Sequence, residues 1–348
     1  MKILYYSYGA LFPYESSGAE KTADELLSAL SNISEVIALV TNEKYLLYNK
    51  KFDKVIDENP EIYNRHAYTC VTYHSLEILK EKLGYWIDLF SPDYIIAQLC
   101  DLTNVFRFIE HKPCTKILYY FHGDPYREPN NLNILRNNIE RVHSILCVST
   151  SVKKMLDTIL GDLCFTLPPL FFQYTTHKKL GTQDGRNEIV MFNTSKSKGY
   201  DIFCGLAKIF TDKEFVIYKC YFNSYDKITD KFVSIKDYTY EYSLMFNNAL
   251  LYLAPSQRME GFGRGIIEAG FFGVPSLVSN VSGLNETIHI PKLVVDDYSD
   301  INSWVKKIQM ILDHEEYSIY SNMAHENSIN AINYANLQLL KFKSLLFK

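Results

Sequence analysis

The chain has 348 residues, a length that makes two domains the first expectation. Its 47% hydrophobic and 22% charged content is that of a folding globular protein, although 27 Tyr and 21 Phe make it rich in aromatic residues. A formal net charge of −4 provides no global basic field, so nucleic acid is excluded as an expected partner.

The seven cysteines, at 70, 100, 114, 147, 164, 204 and 220, are odd in number, scattered and never two residues apart. That pattern argues against a disulfide framework or a zinc site and for a reducing compartment. No apolar run approaches the roughly 18 residues that would cross a bilayer. The expected location is the cytoplasm, with at most a peripheral contact at the inner face of the membrane.

In chain order, "MKILYYSY" reads as a first β-strand, and "SSGAEKTADELLSAL" as a loop followed by a helix. The strand-like runs "EVIALVT", "DYIIAQL", "TKILYYF" and "HSILCVS" follow, separated by helix-like segments. The third of these continues into "HGD", which sets His122 and Gly123 at a strand's carboxyl end. The polar stretch "QYTTHKKLGTQDGRNE", residues 173–188, lacks apolar periodicity and reads as a linker. Beyond it come "EIVMFNT", "EFVIYKC", "ALLYLAP" and "PSLVSN".

Apolar runs without alternation belong to strands buried on both faces, and strands alternating with helices build parallel sheets. The expected fold is α/β, with two doubly wound, Rossmann-like domains at 1–172 and 173–330, and a substrate held at the carboxyl ends of the strands between them. Residues 331–348 carry apolar residues at helical spacing and read as an amphipathic closing helix.

The stretch "SQRMEGFGRGIIEAGFFGVPSLVSNVSGLNETI", residues 256–288, carries the chemistry. "ALLYLAPS" is a strand, "GRGIIEAGFFG" a helix closed by Gly273, and "QRMEGF" the turn between them. Gly261, Gly263 and Gly265 would let backbone N–H groups at the helix start approach an anion, which the helix dipole also favours. Glu260 precedes the helix, and Glu268 sits two turns in beside Ile266, Ile267 and Ala269. A carboxylate in that apolar setting needs partners, and ribose hydroxyls would serve. The spacing is met equally by a helix glutamate facing solvent.

Pro255-Ser256, Glu260, Gly261-Phe262-Gly263, Glu268-Ala269, Gly273-Val274-Pro275 and Gly283…Glu286 together resemble the signature of retaining glycosyltransferases of family 4, which have the GT-B fold. The resemblance implies that Glu260 contacts the donor sugar's hydroxyls and Glu268 the nucleotide ribose. Gly18 and Glu20 match the family's glycine-rich loop, where Gly18 would admit a diphosphate or acceptor, with Ser17 where a second glycine is common. His122 takes the place of a histidine that faces the sugar ring.

In "MFNTSKSKGYDIF", Lys198 matches a lysine that binds the diphosphate. The family's arginine five residues earlier, preceded by glycine, is here Asn193, preceded by Phe192, and Lys196 is the candidate for a second positive charge. Lys219 and Cys220 stand where relatives often have small residues near the nucleotide, so the base does not carry over.

The resemblance implies transfer of a sugar from a UDP- or GDP-sugar to an acceptor hydroxyl with retention, in bacterial surface polysaccharide or lipopolysaccharide synthesis, and no other cofactor. No Asp-x-Asp element occurs in the chain, so metal-independent catalysis is expected. The basic residues Arg107, His111, Lys112, Lys116, Arg127 and Arg136 suit a glycan or lipid-linked acceptor, and suit a solvated polar face as well. A GT-B epimerase or phosphorylase and a partner-dependent sugar-nucleotide-binding subunit are the alternatives. No Gly-x-Gly-x-x-Gly follows the first strand, against a dinucleotide dehydrogenase.

Overall fold

The computed structural model describes residues 1–11, 14, 17–43, 46, 59–171, 183, 185–219, 230–237, 239 and 241–347. Most of the expected linker at 173–188 lies outside the described residues, as do Cys220 and Lys348. The chain forms two compact units, residues 1–170 with 338–348, and residues 171–337.

The first unit is an α/β layer built on eight strands: β1 (Lys2–Ser7), β2 (Glu35–Thr41), β3 (Glu61–Arg65), β4 (Tyr68–Tyr73), β5 (Tyr94–Gln98), β6 (Lys116–Phe121), β7 (Val142–Cys147) and β8 (Cys164–Thr166). Their order is β3-β4-β2-β1-β5-β6-β7-β8. Helices α1 (Gly18–Leu30), α2 (Leu76–Phe90), α3 (Leu102–Ile109), α4 (Pro129–Asn137) and α5 (Thr150–Leu160) connect them. All pairings are parallel except β3 with β4. That hairpin turns through His66, whose φ is +53°. Its outer strand is polar because it forms the sheet's edge, where exposed charged side chains block further pairing. An all-apolar run is therefore no guide to it.

The second unit holds β9 (Glu188–Phe192), β10 (Glu214–Tyr218), β11 (Val233–Lys236), β12 (Ala249–Ala254), β13 (Ser276–Ser279) and β14 (Val294–Val295), in the order β11-β10-β9-β12-β13-β14. Every pairing is parallel. Helices α6 (Tyr200–Ala207), α7 (Tyr242–Phe246), α8 (Arg264–Phe271), α9 (Leu284–Ile288) and α10 (Ile301–Leu312) cover it. Trp304 of α10 is fully buried, and its indole N–H donates to the Tyr298 carbonyl at 2.9 Å. Gly273 closes α8 with a φ of +68°.

In each sheet the chain winds first one way and then the other from a central strand. In the first, β1 lies between β2 and β5; in the second, β9 lies between β10 and β12. At such a switch point the loops leaving the two neighbouring strands diverge, so a crevice opens at their carboxyl ends.

The last helix, α11 (His314–Leu346), is 33 residues long, and its final turns belong to the first unit. Leu339, Phe342 and Leu346 are buried at helical spacing. The Phe342 ring lies 6.0 Å from Phe165, and the Tyr94 hydroxyl donates to the Leu346 carbonyl at 3.1 Å.

Beside this contact, the His143 ring meets that of Tyr94 edge-on at 5.1 Å. Burial lowers the His143 pKa below its ordinary 6.5, opposed by the Leu345 carbonyl and reinforced by Lys116. A histidine held neutral in the folded state takes up its proton more readily unfolded. Its contribution to stability is therefore present above about pH 6.5 and lost as pH falls below it. H143Q removes the titration, so its melting temperature should fall less than that of the unaltered protein between pH 7.5 and 5.5. Parallel slopes in a thermal melt series would exclude this role for His143.

Candidate active site

The loops at the switch point of the second unit follow β9 and β12. The first, residues 193–199, begins at Asn193 with a φ of +74°, a conformation that asparagine tolerates better than most residues. Its side-chain oxygen accepts the Ser195 N–H at 2.9 Å, and the following 3-10 turn presents Lys198. The second loop, residues 255–263, carries Glu260.

Lys198 donates to both carboxylate oxygens of Glu260, at 2.6 and 2.5 Å, and the Ser256 hydroxyl donates to Oε1 at 2.5 Å. The lysine side chain is 31% exposed and that of the glutamate 14%, so the pair is partly shielded from solvent. Charge-assisted bonds this short, and partly desolvated, are stronger than exposed ion pairs.

Backbone contacts fix where the two loops stand. Gln257 N–H donates to the Ser197 carbonyl at 2.9 Å, and Glu260 N–H to the Ser282 carbonyl at 3.1 Å. Gly199 and Gly283 both have a φ of +87°, and both lie directly under the Glu260 loop. A Cβ on Gly199 would stand 2.0 Å from the Pro255 carbonyl oxygen; one on Gly283 would stand 2.1 Å from that of Glu260. The glycines are thus required by close backbone approach as well as by conformation.

Beyond Glu260, Gly261 is buried and Phe262 packs its ring 6.4 Å from Phe171. Thr287 donates its hydroxyl to the Phe262 carbonyl, closing the loop onto α9. Gly263, with a φ of +94°, opens α8. Glu268 is buried, and Oε1 accepts from Nε of the buried Arg264 at 3.3 Å. The Arg264 guanidinium lies over the Phe171 ring at 4.7 Å. Glu268 is accordingly a partnered carboxylate of the interior and not a solvent-facing helix residue.

Tyr252 of β12 was not singled out by any motif. Burial, followed by the Glu268 and Glu260 carboxylates, raises its phenol well above the ordinary range. The two glutamates thus act on one buried, neutral hydroxyl. Lys196, by contrast, has a side chain 84% exposed, and its nearest acid is Asp201 at 3.5 Å.

The switch point of the first unit lies at the ends of β1 and β5, where Ser7 and Gln98 are register partners. Gly18 is the first residue of α1. Ser17 caps that helix, accepting the Glu20 N–H at 3.3 Å, while Glu20 accepts the N–H groups of Ser17 at 3.0 Å and Ala10 at 3.2 Å. This reciprocal cap braces the loop entering the helix.

His122 follows β6, and its Nε2 lies 2.9 Å from Oε1 of Gln98. Tyr120 supports the imidazole with ring centroids 4.1 Å apart. Of the first unit's basic residues, Lys112 pairs with Asp88 at 2.8 Å, and Arg127 with Asp124 at 3.8 Å. Lys116 donates to the Glu140 carbonyl and Arg136 to that of Ile159.

Residues 229–331, which include Glu260 and Glu268, match the family model described as glycosyl transferases group 1. No curated protein matches the chain. Among solved structures, Alr3699/HepE of Anabaena, in complex with UDP-glucose, is 15% identical with a TM-score of 0.74, over 99% of both chains. A glycosyltransferase of Rickettsia africae is 15% identical with a TM-score of 0.68, over 99% of this chain and 98% of that one. The pneumococcal O-GlcNAc transferase GtfA, in complex with UDP and GlcNAc, is 11% identical with a TM-score of 0.64, over 100% and 99%. The chain therefore has the GT-B fold, in agreement with the fold expected from its sequence.

Two stability tests follow from the glycine contacts. G199A and G283A should each destabilise the protein by more than about 2 kcal/mol, since the left-handed conformation alone costs roughly 1–2 kcal/mol with a side chain. G123A, where a Cβ would meet nothing within 4 Å, should stay within about 0.5 kcal/mol. Denaturant melts of the three variants decide it, and equal midpoints would remove the close-approach account.

Proposed function

We propose that the protein is a retaining glycosyltransferase that moves a sugar from a nucleoside diphosphate sugar to an acceptor hydroxyl, without a metal ion. The observation that carries this reading is the contact of Lys198 with Glu260 at the switch point of the second sheet. The match of residues 229–331 to glycosyl transferases group 1, and the UDP and UDP-glucose held by proteins of the same fold, support it.

In this reading Lys198 and the N–H groups at the start of α8 receive the diphosphate, whose growing charge must be neutralised as it leaves. Lys198 then exchanges Glu260 for phosphate, and the released Glu260 carboxylate accepts the sugar's hydroxyls. Glu268, already fixed by Arg264, accepts from the ribose. The bond from the anomeric carbon to the phosphate oxygen breaks, and a bond to the acceptor oxygen forms on the same face. The acceptor's proton passes to the departing phosphate oxygen, so no protein carboxylate attacks the sugar.

The first unit is assigned the acceptor, with Gly18 and His122 as its ligand-facing groups. Surface polysaccharide or lipopolysaccharide synthesis on a lipid-linked glycan at the cytoplasmic membrane face is the setting this reading favours. One observation favours a second reading: Asn193 turns its side chain back into its own loop where the family's arginine would stand. A partner-dependent subunit that binds sugar nucleotide without turnover would tolerate that change.

A thermal-shift and hydrolysis screen with UDP-, GDP-, ADP- and dTDP-sugars in EDTA separates the two. A donor at about 100 times its dissociation constant should stabilise the fold by roughly 2.7 kcal/mol. K198A should weaken that donor about 10- to 100-fold, as loss of a charge-assisted bond does. E260A should lower turnover by about 100-fold or more. A donor that binds without any hydrolysis or transfer would favour the subunit, and full turnover by E260A would remove the role given to that residue.

A further inference from the structure

Gln98 ends β5 with its side chain wholly buried, and its two polar ends are both engaged. Nε2 donates to the carbonyl of Ala19, in the first turn of α1, at 3.1 Å, and Oε1 faces Nε2 of His122 at 2.9 Å. A carbonyl oxygen can only accept, so the NH2 of the amide must lie toward Ala19 and its oxygen toward the imidazole. An amide oxygen also only accepts, so His122 must donate through Nε2. The tautomer follows from the connectivity, with no freedom to exchange the amide's two ends.

We infer that Gln98 is a positioning residue that holds His122 as the Nε2–H imidazole, so that the ring gains and loses protons at Nδ1 alone. Three adjacent structural parts meet in this bridge. Ala19 belongs to the helix after β1, Gln98 to the end of β5, and His122 to the end of β6, and β1, β5 and β6 are neighbours in the sheet. The Tyr120 ring packs against the imidazole at a tilt of 48°, and the Tyr120 hydroxyl is itself anchored on the Leu167 carbonyl at 2.6 Å. With ring plane and tautomer both set, the edge of His122 carrying Nδ1 has one orientation and one proton-accepting atom. A hydroxyl-bearing ligand meeting that edge would donate to Nδ1.

The inference rests on the reading of His122 as a ligand-facing group of a sugar transferase, but its test does not need turnover. Long-range proton–nitrogen NMR of the full chain labelled with 15N-histidine distinguishes the tautomers, with H122Q identifying the His122 signals. The unaltered protein should show a protonated Nε2 and an unprotonated Nδ1 in the neutral ring. Q98L removes both bridge contacts and should give mixed tautomers. Q98M, which keeps the side chain's length but neither donates to Ala19 nor accepts from His122, is the second variant if Q98L does not fold.

With a donor that is turned over, Q98L should lower kcat about tenfold or more while donor KM stays within about twofold. A protonated Nδ1 in the unaltered protein, or an unchanged tautomer in a folded Gln98 variant, overturns the inference. If no donor is bound or turned over while the tautomer changes as expected, Gln98 keeps its role and the transferase reading fails.

Discussion

Where the winding of a parallel sheet reverses, the loops leaving the two neighbouring strands depart toward opposite faces and flank one crevice, and the site of the second unit depends on that constraint. Lys198 and Glu260 are 62 positions apart, yet β9 and β12 are neighbours, so their loops emerge together. Each residue is then the other's counterion. A lone ammonium or carboxylate in a partly dry crevice would bear a desolvation cost with nothing to offset it. The pair makes a charged site compatible with a stable fold, and in the proposed function it is exchanged charge for charge when an anion bearing hydroxyl groups arrives.

The backbone beneath the pair explains why the sequence around it tolerates so little bulk. Gly199 and Gly283 bring two turns into contact with the Glu260 loop, and the hydrogen bonds from Gln257 and Glu260 to those turns satisfy groups that would otherwise be buried without partners. Phe262 on Phe171 and Thr287 on the Phe262 carbonyl close the far end. The loop is thereby held by its main chain, so its position does not depend on the contact between the two charged side chains.

Much of this was legible in the sequence, because parallel strands buried on both faces leave unbroken apolar runs. Nine such runs correspond to β1, β2, β5, β6, β7, β9, β10, β12 and β13. The runs pass over β3, whose edge position calls for polar residues, over β4 and β11, where Thr, Ser and Lys interrupt the apolar pattern, and over β8 and β14, which are three and two residues long. Glycine spacing likewise gave the turn and helix around Glu260. What no local pattern could give is a contact fixed by strand order: the meeting of Lys198 with Glu260, the placing of Tyr252 near both glutamates, and the Gln98 bridge. Gln98 in "DYIIAQL" is a polar residue at the end of a strand like many others, and only its neighbours across the sheet give it a function.

The two units solve the problem of a polar switch point by opposite means. In the second, opposite charges confront each other, and a helix start adds its partial positive charge, which suits an anion. In the first, the groups at the strand ends form a mostly neutral chain from Ala19 through Gln98 to His122, with Glu20 buried but fully engaged in bracing its own loop. A neutral, directional arrangement discriminates hydroxyl groups by geometry and not by charge. That contrast bears on Asn193, which lacks the charge of the arginine it resembles in position but uses its left-handed backbone and side chain to shape the turn presenting Lys198. Loop geometry stands there in place of a positive charge, so in the proposed function recognition of an anion would fall more heavily on Lys198 and on the backbone N–H groups that open α8.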